Sequence, residues 1–134
     1  MTPELTDLIK TLKRELGANN PLLKDLISKL DFKLPQDYFE YLQISNGGEG
    51  FIGKNSYLSL WSIENLVPWN SKYEVDAYAP GYFIFGSDGG GTAYAFKKKE
   101  SEIVAFQFIG MLMDDEPIKM GDDFVSFLNH LYHV

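Results

Sequence analysis

The stretch FGSDGGGTAYAF, residues 85–96, sets three consecutive glycines between two apolar runs, and its reading decides between a ligand loop and a turn. A P-loop needs G-x-x-x-x-G-K-[ST]. Gly86 and Gly91 have that spacing, but Thr92 and Ala93 stand where the lysine and the hydroxyl belong. A dinucleotide fingerprint needs G-x-G-x-x-G opening a helix. Here the glycines run into TAYAF, which has strand character and puts Tyr94 at the final glycine position. What remains is a hairpin, because glycine reaches positive φ without a Cβ penalty and SDGGG has the length of a loop between antiparallel strands.

Residues 82–85, 92–96 and 102–108 are rich in aromatic and β-branched side chains and lie close enough to form an antiparallel meander. Lys97, Lys98, Lys99, Glu100 and Ser101 make the polar link between the last two, with charge that discourages stray pairing. Upstream, YLSLWS (residues 57–62) alternates as a strand does, and residues 62–74 fit a short helix interrupted at Pro68, with PWN on a loop.

The first third reads as helical. Thr2 as N-cap and Pro3 at the first helical position open a stripe of Leu5, Leu8, Ile9, Leu12 and Leu16 that ends at Gly17. Asn20 and Pro21 open a second stripe, Leu22, Leu23, Leu26, Ile27 and Leu30, while Leu34 and Pro35 open a third with Tyr38, Phe39 and Leu42, ended by Gly47 and Gly48. Beyond an acidic connector, DDEPIKMGDD, the tail FVSFLNHLYHV places Phe124, Phe127, Leu128, Leu131 and Tyr132 at helical spacing. Asp122 and Asp123 stand where carboxylates cap such a helix. Helices around a largely antiparallel sheet make an α+β fold.

The 134 residues fit one domain, 1–134, and a chain of that size buries roughly two-thirds of its unfolded surface. With 45% hydrophobic and 15% aromatic residues, burial offsets chain entropy. The absence of cysteine excludes disulfides, a zinc ribbon and a thiol nucleophile, and fits a reducing compartment. Residues 1–17 lack an unbroken apolar h-region, and no window reaches the ~20 apolar residues of a membrane span, so a soluble, cytoplasmic protein is expected. A net charge of -7 repels a phosphate backbone, which argues against direct nucleic-acid binding and favours encounter with a basic protein.

Catalytic signatures are missing. The carboxylates Asp114, Asp115, Glu116, Asp122 and Asp123 do not have calcium-loop spacing, and His130 and His133 lack a third metal ligand. Ser45 in ISNGGEG sits in no G-x-S-x-G elbow. No catalytic residue, metal or cofactor is expected. Trp61 and Trp69 suit either a core or an interface.

LPQDYFEYLQISNGGEG, YLSLWSIENL, YFIFGSDGGGTAYAF and DDFVSFLNHL, in that order, resemble the SMI1/KNR4 family of the SUKH superfamily over residues 34–131. The carrying residues are Leu34, Pro35, Tyr38 and Leu42, the trio Asn46, Gly47 and Gly48, residues 58–60, Phe85 and Gly86, residues 88–91, and Phe124, Phe127 and Leu128. Many relatives have a tryptophan shortly before the last helix, where this chain has Met111, Met113 and Met120.

The resemblance implies an α+β domain. Its bacterial members commonly act as immunity proteins that bind and neutralise polymorphic toxins, often nucleases, and its fungal members as regulatory scaffolds. The expectation is therefore a non-enzymatic immunity protein, monomeric or weakly homodimeric, bound to a basic cognate toxin. Asn46, Glu49, Asp88, Asp114, Asp115 and Glu116 would be its polar contacts and Trp69 its anchor. The alternatives are a regulatory scaffold that binds a peptide or protein partner, and a small metal-dependent hydrolase using His130 and His133.

Overall fold

The computed structural model of the protein describes residues 3–100, 102–112 and 116–134. The N-cap expected at Thr2, the polar link at Ser101 and the contacts expected at Asp114 and Asp115 lie outside those residues.

The glycine-rich stretch is a hairpin. β3 (Tyr82–Ser87) and β4 (Thr92–Lys97) pair antiparallel, with Ser87 opposite Ala93. Asp88 closes the loop from within: its Oδ1 accepts the Gly90 N–H at 2.8 Å and the Thr92 N–H at 3.1 Å, and the Ser87 hydroxyl accepts the Gly89 N–H at 3.1 Å. Of the three glycines only Gly89 is left-handed, at φ 83°, and a Cβ there would stand 2.7 Å from the Tyr57 ring. Gly89→Ala is accordingly expected to cost about 1–2 kcal/mol for the backbone, plus displacement of Tyr57. Gly90→Ala and Gly91→Ala should stay within about 1 kcal/mol of wild type. Urea denaturation of the three variants checks the asymmetry.

Around this hairpin the fold is α+β, with all sheet neighbours antiparallel in the order β1-β2-β3-β4-β5-β6. β2 (Ser56–Leu60) and β5 (Ile103–Gln107) occupy the runs the sequence marks. β1 (Gly48–Ile52) and β6 (Ile118–Gly121) are outer strands it does not mark.

β1 explains why the first helix, α1 (Pro3–Ile9), ends well before the expected Leu16. After Ile9 the chain runs along the free edge of β1. The Lys13 N–H donates to the Glu49 carbonyl at 2.7 Å, the Glu49 N–H returns to Lys13 at 3.0 Å, and the Thr11 hydroxyl donates to the Phe51 carbonyl at 2.7 Å. Covering a sheet edge outweighs continuing the helix. Leu16, expected on the buried stripe, is 91% exposed.

α2 (Asn20–Lys29) is capped by Asn19, one residue earlier than expected, whose Oδ1 accepts the Leu22 N–H at 3.0 Å. α3 spans Gln36–Ile44. α4 (Ile63–Lys72) runs through Pro68 without a break, so PWN is helical and not a loop. Pro68 removes one backbone donor. Asn70 ties the same region to the sheet, donating to the carbonyls of Leu66 and Ile84 and accepting the Ile84 N–H, all within 2.8 Å. α5 (Val75–Tyr78) follows, and α6 (Phe124–His133) closes the chain.

β3 and β4 are buried almost throughout, the pattern of strands covered on both faces. On one face Phe85 and Phe96 stack at 4.2 Å, and α6 supplies Phe127 at 5.5 Å from Phe85 and 4.9 Å from Tyr94. α4 and α5 pack on β3, and Ala93, Ala95, Val104 and Phe106 fill the other face. Asp123 caps α6 as expected, accepting the Ser126 N–H at 2.8 Å. A second cap comes from α3, where the Asp37 carboxylate accepts the N–H groups of Val125 at 2.9 Å and Phe124 at 3.3 Å. Asp122 instead pairs with Lys119 at 2.8 Å. No helix among the described residues is long and apolar enough to cross a membrane.

Candidate functional site

β1 and β2 differ from their neighbours in burial: Glu49 and Phe51 are exposed, Tyr57 and Ser59 half-buried, and Leu58 and Leu60 fully buried between them. Alternation of this kind marks a sheet covered on one face only. The register places Glu49 beside Ser59 and Phe51 beside Tyr57 on the uncovered face, and Ser59 beside Ser87 on β3. The Phe51 and Tyr57 rings meet edge to face at 5.2 Å, and the Tyr57 hydroxyl donates to Glu49 Oε2 at 2.7 Å.

From Tyr57 this face continues in both directions. Gly89 lies over the Tyr57 ring, and the Gly91 carbonyl at the far side of that loop accepts the Phe108 N–H at 2.9 Å. Trp61 follows Tyr57 and Ser59 in the same alternation, its N–H held by the Phe85 carbonyl at 3.0 Å. Its indole meets Trp69 edge-on at 4.9 Å and stacks on Phe108 at 6.3 Å and Tyr73 at 6.1 Å. Trp61 is buried, Trp69 and Phe108 are half-buried, and Tyr73 is exposed. Ile109, next to Phe108 in the β5–β6 loop, is 94% exposed.

The expected contact residues fall on and around this face. Glu49 lies on it. Asp88 is at its margin, with the carboxylate spent on its own loop. Asn46 holds backbone: its Oδ1 accepts the Ile63 N–H at 2.7 Å at the start of α4, and its Nδ2 donates to Glu64 at 2.6 Å. Trp69 belongs to the ring cluster, between core and surface. Glu116 is exposed just before β6. Sequence reasoning missed Phe51, Tyr57, Tyr73, Phe108 and Ile109. Tyr57 lay in the alternation of YLSLWS and Phe108 at the end of the strand expected over residues 102–108, while Tyr73 meets Phe108 through a tertiary contact alone.

Ser45 and His133, two of the residues a catalytic reading would use, bond within the chain. The Ser45 hydroxyl, fully buried, donates to the Gly47 carbonyl at 2.6 Å, which also accepts from the Tyr41 hydroxyl at 2.7 Å. His130 is exposed, and the His133 ring sits 2.9 Å from the Asn129 carbonyl one turn back. Among the described residues no group of three or more His, Cys, Asp or Glu is placed to hold a metal ion. Two of the three lysines pair within the chain: Lys98 reaches Asp31 at 3.0 Å and Asp76 at 3.3 Å, and Lys97 faces Glu100 at 3.5 Å.

Electrostatics mark the same face. The Glu49 carboxylate that accepts the Tyr57 hydroxyl holds that phenol above the ordinary tyrosine range. On the opposite face of the sheet, against Phe127, burial and then the Asp88 charge push Tyr94 up to about 12. Glu49→Gln is expected to lower the titration of Tyr57 toward the ordinary tyrosine value, read from its ring resonances against pH. An unchanged titration would show that the pair does not form in solution.

In comparison with known proteins, the model of the SMI1 / KNR4 family (SUKH-1) matches residues 17–130. No curated protein matches the chain.

Proposed function

The chain belongs to the SMI1/KNR4 family (SUKH-1), and from that premise we propose that it is a non-enzymatic immunity protein of the cytoplasm that binds and neutralises a basic cognate toxin. The observation that carries this reading is the family match over residues 17–130, joined to a net charge of -7. An acidic surface speeds encounter with a basic protein and repels nucleic acid, so the partner is a protein, most simply a nuclease whose own groove is cationic. Asn46, Ser45 and Asp88 each hold backbone groups.

Co-expression with a toxin encoded by a neighbouring gene tests the reading. Growth should be restored, and the two proteins should co-purify in fixed stoichiometry. Growth arrest that persists despite soluble expression of this chain would overturn it. Recovery of several substoichiometric partners with no protection would instead support the regulatory scaffold.

A further inference from the structure

We propose that the partner docks on the uncovered face of β1–β2 and the ring cluster beside it, and that the docking element is a basic segment carrying an aliphatic side chain between cationic ones. This rests on the reading of the chain as an immunity protein and says where and by what chemistry it binds.

Three observations carry it. The first is anchoring surface. Phe51 is 58% exposed, Tyr73 41% and Ile109 94%, and behind them Trp61, Trp69 and Phe108 form a stack held by ring contacts of 4.9–6.3 Å. Aromatic side chains fixed in this way offer contact area at little entropy cost, and tryptophan and tyrosine dominate measured hot spots.

The second is charge. The carboxylates around the face are Glu15, Glu49, Glu64, Asp88 and Glu74, the last directly after Tyr73, against Lys13, Lys54 in the β1–β2 turn and Lys72 at the end of α4 as the nearby cations. A cationic segment is complementary to that balance.

The third is the contrast with the other concavities. The groove of about 280 Å³ between α2 and α3 is apolar but has no carboxylate in its lining, and Lys33 stands at its edge. The cleft of about 820 Å³ beside α3 is lined by Lys33, Lys98 and Lys99 as well as by acids, and its apolar side chains, Leu34, Pro35 and Val125, include no aromatic ring. Among these three surfaces the sheet face alone joins exposed rings to an acidic border.

The test is a nuclear magnetic resonance titration of the full chain with a synthetic peptide alternating arginine and leucine, compared with its glutamate–leucine counterpart. The arginine peptide should shift the indole N–H signals of Trp61 and Trp69 and the amides of Gly89, Phe108 and Ile109. Combining Tyr73→Ala with Ile109→Asp should weaken that binding by about tenfold or more while the rest of the spectrum stays native. No perturbation, shifts gathered in the α2–α3 groove, shifts spread evenly over the acidic residues, or equal response to both peptides would overturn the proposal.

The two readings fail separately. A toxin neutralised as well by the double variant as by the wild type would overturn the surface and leave the immunity reading. Intact peptide mapping with no protection in co-expression would do the reverse.

Discussion

Phe85→Ala is expected to remove about 3–5 kcal/mol of folding stability, a large share of the about 5–15 kcal/mol that holds a domain together. Phe85 is fully buried, and its ring contacts four others: Phe96 stacked at 4.2 Å, Phe127 at 5.5 Å, Tyr38 at 5.5 Å and Phe124 at 6.2 Å. These come from a neighbouring strand, α3 and α6, so truncation opens a cavity that no single element can close. Tyr38→Phe, in the same cluster, should behave in the opposite sense. Its hydroxyl is fully buried without a hydrogen-bond partner among the described residues, and burial pushes the phenol well above its ordinary range. Removing an unsatisfied hydroxyl relieves a desolvation cost of about 1–3 kcal/mol, so this variant should match or exceed the wild type. Urea midpoints of the two variants, with unchanged slopes, check both signs.

Gly53→Ala is the second large effect. Gly53, in the turn between β1 and β2, has φ 68°, and a Cβ there would run into the backbone carbonyl of Tyr132, with the carbonyl carbon at 2.9 Å. Left-handed strain of about 1–2 kcal/mol and overpacking of about 1–3 kcal/mol sum to about 2–5 kcal/mol. The damage should be local to the seam where this turn meets the end of α6. There Ser56 donates to the Leu131 carbonyl at 2.7 Å and Asn55 to Val134 at 3.2 Å. Hydrogen exchange should therefore quicken in the last turn of α6 before it does in β4. Uniform acceleration, or none, would contradict the packing described.

The hairpin at residues 85–96 was legible because two local facts agreed: runs rich in aromatic and β-branched residues, and a glycine-rich loop of hairpin length between them. α2, α3 and α6 were legible from apolar stripes, and the caps at Asn19 and Asp123 lie within one residue of where the sequence puts them. β1 was hidden because GEGFI has no alternation of its own and exists through pairing with β2 and residues 11–13. The same pairing truncates α1, an outcome that the Leu5 to Leu16 periodicity cannot show. β6 is only four residues within a connector read as acidic. At Pro68 the local penalty is real, but tertiary anchoring by Asn70 prevails over it.

The site was less legible than the fold, for a physical reason. Asn46 and Asp88 were singled out as exposed polar groups in glycine-rich loops, and such groups are the ones a loop needs to satisfy its own backbone. Glu49 stood out in the same way but lies on an open sheet face, a distinction that only strand register makes. Tyr73, Phe108 and Ile109 converge from α4 and the β5–β6 loop, elements far apart in the chain.

Under the proposed function, this family member neutralises a toxin by binding it. The most direct measurement is to titrate a purified toxin encoded by a neighbouring gene with this chain while following the toxin's own activity. The account predicts that activity falls linearly to zero at one equivalent, with association slowing as salt is raised. Full toxin activity in the presence of excess folded chain would contradict it.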